Sequence, residues 1–163
     1  MTFPTPRIET FPSKLLAGIR LSMSLTNNQT QSLWKNFMSR RAELLHTIGT
    51  DLYSARLYPE SYFKQFTIST AFDKWAAIEV SSKENLPEGF ETLVIPEGLY
   101  AVFPYKGAAS AGGPFYQYIY GTWIPDSGYM IDSRPHFEIL TDKYKNEDPN
   151  SEEDIYIPIV LKA

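Results

Sequence analysis

The chain has 163 residues, a formal net charge of −4 and no cysteine. Hydrophobic residues at 43% and charged residues at 21% describe one globular domain, able to bury roughly 70% of its unfolded surface without staples. The absent thiols exclude disulfide scaffolds, thiolate zinc sites, iron–sulfur clusters and cysteine nucleophiles, and the acidic balance argues against a nucleic-acid footprint.

No apolar run approaches the roughly 18 residues of a membrane span, and Met1–Pro12 has no signal-peptide pattern, so a cytoplasmic protein is expected. Aromatic residues reach 15%, more than a small core requires, which keeps a binding cleft in view.

Taken in order, Arg7–Phe11 and Leu15–Leu25 read as strands around a Pro12-Ser13-Lys14 turn. Thr26–Asn28 offers helix caps. From Gln29, Leu33, Trp34, Phe37, Met38, Leu44 and Leu45 recur at helical spacing, with Gly49 as the stop. Leu52–Tyr58 and Phe72–Ser81 are the next strands, and Asn85–Gly89 is a turn. Phe90–Ile95 and Leu99–Tyr105 follow as strands flanking Pro96-Glu97-Gly98. Gly107–Gly113 reads as a flexible connection leading to Pro114 in the first turn of a second helix. Phe115, Tyr118, Ile119 and Trp123 share one face of that helix before Pro125 and Gly128 end it. Pro135–Leu140 is a strand, Thr141–Glu153 a charged loop, and Ile155–Leu161 the last strand.

The order ββαββ is thus written twice. Phe11-Pro12-Ser13-Lys14-Leu15-Leu16-Ala17 matches Ile95-Pro96-Glu97-Gly98-Leu99-Tyr100-Ala101 at three positions and an offset of 84, about half the chain. Pseudo-repeats of about 1–84 and 85–163 predict an α+β fold: one antiparallel sheet, two helices on one face, and a central cleft at the seam.

Phosphate-loop, dinucleotide, zinc-protease and nucleophile-elbow motifs are missing. The Gly107–Gly113 loop lacks the lysine of a phosphate cradle. His46 and His136 have no companions at metal-ligand spacing, so neither a metal nor a cofactor is expected. Asn28-Gln29-Thr30 fits a glycosylation sequon that a cytoplasmic chain would not use.

Glu138 is the most informative charge. It alternates with Phe137 and Ile139, so it shares a strand face with His136. As an edge carboxylate it would sit in water. Inside an aromatic cleft it would be costly to leave unpaired, and an organic cation would relieve that cost with help from aromatic faces. Trp34, Phe37, Phe115 and Ile119 read as core. Tyr53, Trp75, Tyr100 and Trp123 are the aromatic candidates for lining a cleft, and Glu79 reads as solvent-facing.

Four segments together resemble the GyrI-like small-molecule-binding family, also found as the effector-binding domain of AraC-type regulators. They are Glu97-Gly98-Leu99-Tyr100-Ala101-Val102-Phe103, Trp123-Ile124-Pro125-Asp126-Ser127-Gly128-Tyr129, Phe137-Glu138, and Ile155-Tyr156-Ile157-Pro158-Ile159. The first half matches more loosely, through the Trp34 helix and Trp75–Val80. The resemblance implies a multidrug-type cleft for hydrophobic, often cationic, compounds, with a glutamate at the place of Glu138. It assigns Tyr53, Trp75, Tyr100 and Trp123 to the ligand, no catalytic residue and no cofactor. No segment before Arg7 could hold a helix-turn-helix, so a stand-alone sensor or sequestering module without direct nucleic-acid or membrane binding is expected. Two alternatives stay open. One is a hydrolase of small electrophiles using a cleft Glu and Tyr; the other is a protein partner of the DNA-gyrase type.

Overall fold

The computed structural model describes residues 3–163; Met1 and Thr2, which open the stretch read for a leader, lie outside them. The first half consists of β1 (Arg7–Phe11), β2 (Lys14–Met23), α1 (Thr30–Arg40), β3 (Thr47–Leu57) and β4 (Phe72–Val80). The second half repeats it with β5 (Glu91–Ile95), β6 (Gly98–Lys106), α2 (Gly113–Tyr118), β7 (Tyr129–Ile131), β8 (His136–Leu140) and β9 (Glu152–Leu161). The expected α+β architecture holds, with β7 as an addition. Among the described residues no helix is long and apolar enough to cross a membrane.

The strands form one sheet in the order β1-β6-β9-β8-β3-β4-β2-β5, with β7 attached to β9. Each pairing along that path is antiparallel. The order is symmetric about the β8–β3 junction, as duplication predicts, and each half lends its first strand to the other: β1 pairs with β6, and β5 with β2.

Because side chains alternate across a strand, each strand feeds two faces. On the helix side, α1 buries Leu33 and Phe37 against Ala17, Ala76 and Ile78. Each of those two side chains contributes about 1.5–3 kcal/mol by leaving water. Phe115 and Ile119 do the same in the second half, against Ala101, Phe103, Ile155 and Ile157. The other face curls on itself, so that Phe11, Leu16 and Ile95 from strands near both edges join Tyr53, Trp75, Tyr100, Phe137 and Tyr156 in one aromatic core. Gly98 has a steric role on this path, since a Cβ there would meet the Arg134 guanidinium.

The helix boundaries differ from the sequence reading for local reasons. α1 stops at Arg40 and passes through one 3-10 turn, Arg41–Glu43. The chain then reverses at His46, whose φ of 59° is left-handed, and Gly49 lies within β3 where its pairing with β4 slips between Thr47 and Leu52. Leu44 remains buried while Leu45 is exposed. In the second half, α2 runs into a wide π-helical turn, Ile119–Trp123, before Ile124–Asp126. Across that turn Phe115, Tyr118, Ile119 and Trp123 still pack on one core, as their spacing predicts. β9 begins at Glu152, earlier than expected, which takes Glu153 from the loop into the sheet.

Candidate functional site

β3 and β8 lie side by side at the centre of the sheet, with Ser54 opposite Glu138 and Arg56 opposite His136. Arg56 therefore sits one diagonal step from Glu138 on the same face, within reach for a long side chain. Its Nη1 donates to Glu138 Oε1 at 2.6 Å and its Nη2 to Oε2 at 2.5 Å. Both residues are buried, at 7% and 5% exposure. This is a two-pronged, charge-assisted ion pair joining the two halves of the molecule.

Tyrosines surround the pair. Arg56 Nε donates to the Tyr58 hydroxyl at 2.8 Å, and the Arg56 guanidinium lies 5.7 Å from the centre of the Tyr116 ring. Burial raises the Tyr58, Tyr116 and Tyr120 hydroxyls above the usual phenol range, so all three are neutral donors. Tyr120 shares a 3.0 Å hydrogen bond with Nδ1 of the buried His136. Burial, then Arg56 and Arg134, hold that imidazole well below its ordinary value, which keeps it uncharged.

The segment between β3 and β4 closes over this cluster. Phe63 stacks on His136 at 5.5 Å and approaches Tyr120 at 4.8 Å. Tyr62 packs on Tyr58 at 4.4 Å. The seam between the two helices is therefore an aromatic-filled pocket around a buried charge pair.

Two further charges share this face. Lys74 on β4 donates to Thr30 Oγ1 at 3.1 Å, and burial followed by Arg56 lowers its ammonium to about 8. Glu153 on β9 lies diagonal to Glu138, and burial followed by the Glu138 charge raises it to about 8. The two basic residues come from the first half of the chain and the two acidic ones from the second. Among the described residues, no group of three His, Asp or Glu is placed to hold a metal ion.

The structure brings His136 to Glu138, as strand alternation predicts, but does not gather the five proposed ligand residues. Tyr53 pairs with Ile139, and Trp75 with Ala55, so both point away from Glu138 into the opposite, aromatic face. Tyr100 is in that same core with Arg134 over its ring at 4.7 Å. Trp123 packs on Phe103 at 5.3 Å in the second helix-side core. Glu79 is partly exposed and pairs with Lys14 at 3.3 Å. The aromatic groups beside Glu138 are instead Tyr58, Tyr116, Tyr120 and Phe63. Arg56 was the missed partner. Its signal was present as Ser54, Arg56 and Tyr58, a polar set alternating with the apolar Tyr53, Ala55 and Leu57.

Residues 4–160 match the family model described as GyrI-like small molecule binding domain. The chain is similar to the transcriptional regulator BrlR of Pseudomonas aeruginosa, 27% identical over 156 residues. That match covers 94% of this chain and 54% of BrlR, so the chain spans about half the length of this curated relative. Among solved structures, SAV2435 bound to tetraphenylphosphonium superposes with a TM-score of 0.69 at 15% identity, covering 98% of this chain and 94% of the other. The EcmrR C-terminal domain gives 0.73 at 13% identity, with 99% and 100% covered. At those identities the two structures establish a shared fold.

Proposed function

The chain belongs to the GyrI-like small-molecule-binding family, and from that premise we propose that it captures hydrophobic organic cations on the helix side of its sheet, with Glu138 as the anchoring anion. It would serve as a sensor or a sequestering module in the cytoplasm. A cation bound to SAV2435 makes this ligand class the natural first choice.

The observation that carries the proposal is the company Glu138 keeps. It already holds a delocalised cation, the Arg56 guanidinium, against the Tyr116 ring. A lipophilic cation needs the same two things: a desolvated carboxylate and aromatic faces, each worth about 0.5–2 kcal/mol in cation–π attraction. In this reading Arg56 is the resident occupant that an incoming cation displaces, and Phe63 must move aside to admit it. The displacement makes the site selective, since a small hydrated cation brings too little apolar surface to offset it.

The test is a titration with tetraphenylphosphonium, followed by tryptophan fluorescence and calorimetry. Arg56→Met should tighten binding by tenfold or more by leaving Glu138 free, whereas the double variant Arg56→Met/Glu138→Met should bind at least tenfold more weakly than Arg56→Met. Equal affinity in the single and double variants would remove Glu138 from the site.

A further inference from the structure

Below the second helix the surface opens into a groove of about 1120 Å³, lined by residues other than those of the filled seam. One wall is an aromatic stack: Phe3 lies parallel to Phe115 at 5.3 Å, and Tyr105 stacks on the same ring at 5.7 Å. Ile139 and Tyr156 extend the apolar lining, and Glu153 also lines the groove.

Glu153 differs from Glu138 in the respect that matters for recognition. Both oxygens of Glu138 are engaged by Arg56, whereas Glu153 makes no ion pair or side-chain hydrogen bond among the described residues. It is half-buried, so its charge has lost much of its water without gaining a partner. The rim carries the carboxylates of Asp51, Asp142 and Glu152 against the ammoniums of Lys106 and Lys143, while Asp154 is already held by Arg7 at 3.3 Å. The groove thus pairs an aromatic wall with one poorly solvated carboxylate and an acidic mouth, a combination that fits an organic cation bearing aromatic arms.

We propose that this groove is a second cation site, with Glu153 as its counter-charge. The inference rests on the preceding reading for the class of ligand, but not for the place where it binds.

The setting of Glu153 also links binding to a proton. Across the sheet it faces Glu138 on β8, Arg56 on β3 and Lys74 on β4, with Tyr105 on β6, Tyr116 on α2 and Tyr144 in the connection between β8 and β9. Burial and Glu138 outweigh the two cations and push its carboxyl up to about 8, so near neutrality it holds a proton. A cation stabilises only the ionised form. Affinity should therefore fall by up to about tenfold for each pH unit below that value, and bound cation should be matched by released proton.

The experiment is calorimetric titration of the full chain with tetraphenylphosphonium at pH 6, 7 and 8, in two buffers of different ionisation enthalpy. Tetraphenylborate serves as the control of similar shape and opposite charge. The wild type should release protons on binding cation and should not bind the anion in the groove. Glu153→Gln should abolish proton release and weaken binding at pH 8 by about tenfold or more, and it replaces an unpartnered carboxyl by an amide of the same shape, so the fold should persist. Arg56→Met/Glu138→Met, which removes one group that raises the Glu153 carboxyl and one that lowers it, should still bind the cation in the groove. Unchanged proton release in Glu153→Gln, or none in the wild type, overturns the groove site. If Glu153→Gln binds as the wild type does while the double variant fails, the groove is wrong and the seam reading stands. Absence of cation binding by the wild type removes both, because the ligand class itself is then wrong.

Discussion

The two faces of the sheet are cut from the same strands, one residue out of step, yet they solve different problems. On the curled face, Tyr53, Trp75, Tyr100, Phe137 and Tyr156 pack with aliphatic neighbours into a core with no ion pair at its centre. On the helix face, the same strands present Arg56, Lys74, Glu138 and Glu153 between two apolar clusters. Aromatic richness alone therefore does not distinguish the two faces. The informative aromatics are those whose neighbours are buried charges.

The sharpest way to break this contrast is to remove one member of the central pair. Arg56→Met or Glu138→Met alone leaves an uncompensated buried charge and should cost about 3–5 kcal/mol in urea unfolding. Removing both together should be far less harmful, because a buried pair replaced by apolar groups of similar volume is often neutral or stabilising. Single losses no larger than the sub-kilocalorie effects of surface pairs would mean that water reaches the pair, and the two faces would then be alike.

That pair also shows what the sequence could and could not reveal. The repeated element order, the Pro12 and Pro96 turns and the burial of Phe37, Phe115 and Ile119 were all legible, because period and turn chemistry are local. The face occupied by Glu138 relative to Phe137 and Ile139 was legible for the same reason. Which face of a neighbouring strand meets it depends on register, and one residue of slip exchanges the sets. Tyr53 opposite Ile139, rather than opposite Glu138, is a fact of pairing between strands more than 80 residues apart. Arg56 was hidden by the same non-locality. The π-helical turn Ile119–Trp123 was equally hidden, an insertion that spacing rules for a regular helix do not anticipate.

A smaller effect should separate the faces by pH. His136 is buried and uncharged, while in the unfolded chain an imidazole takes a proton near 6.5. Below that value the unfolded state binds more protons at this position, so stability falls as pH falls, by up to about 1.4 kcal/mol per unit. Glu153 acts with the opposite sign between its unfolded value of 4.5 and about 8, since its folded form retains the proton and stability falls as pH rises. The total curve near pH 6 is therefore flattened by cancellation. Urea unfolding of His136→Phe and the wild type at pH 5.5, 6.5 and 7.5 isolates the histidine contribution. The difference should narrow or turn in favour of the variant as pH falls, and a pH-independent difference would show that His136 is not sealed from solvent.

The smallest effect comes from two hydroxyls. The Tyr100 hydroxyl is buried without a well-aligned partner, and burial pushes it to about 12. The Tyr120 hydroxyl is bonded to His136 at 3.0 Å. Deleting an unsatisfied buried hydroxyl removes a desolvation cost, whereas deleting a bonded one strands its partner. Tyr100→Phe should therefore leave stability unchanged or raise it by up to about 1 kcal/mol, while Tyr120→Phe should lower it by about 1–2 kcal/mol. Cation binding should be untouched by Tyr100→Phe, because its ring lies on the far side of the sheet from Glu138 and outside the lining of the groove. Weakened cation binding in Tyr100→Phe would return the curled face to contention as a ligand surface, and the division of labour between the two faces would fail.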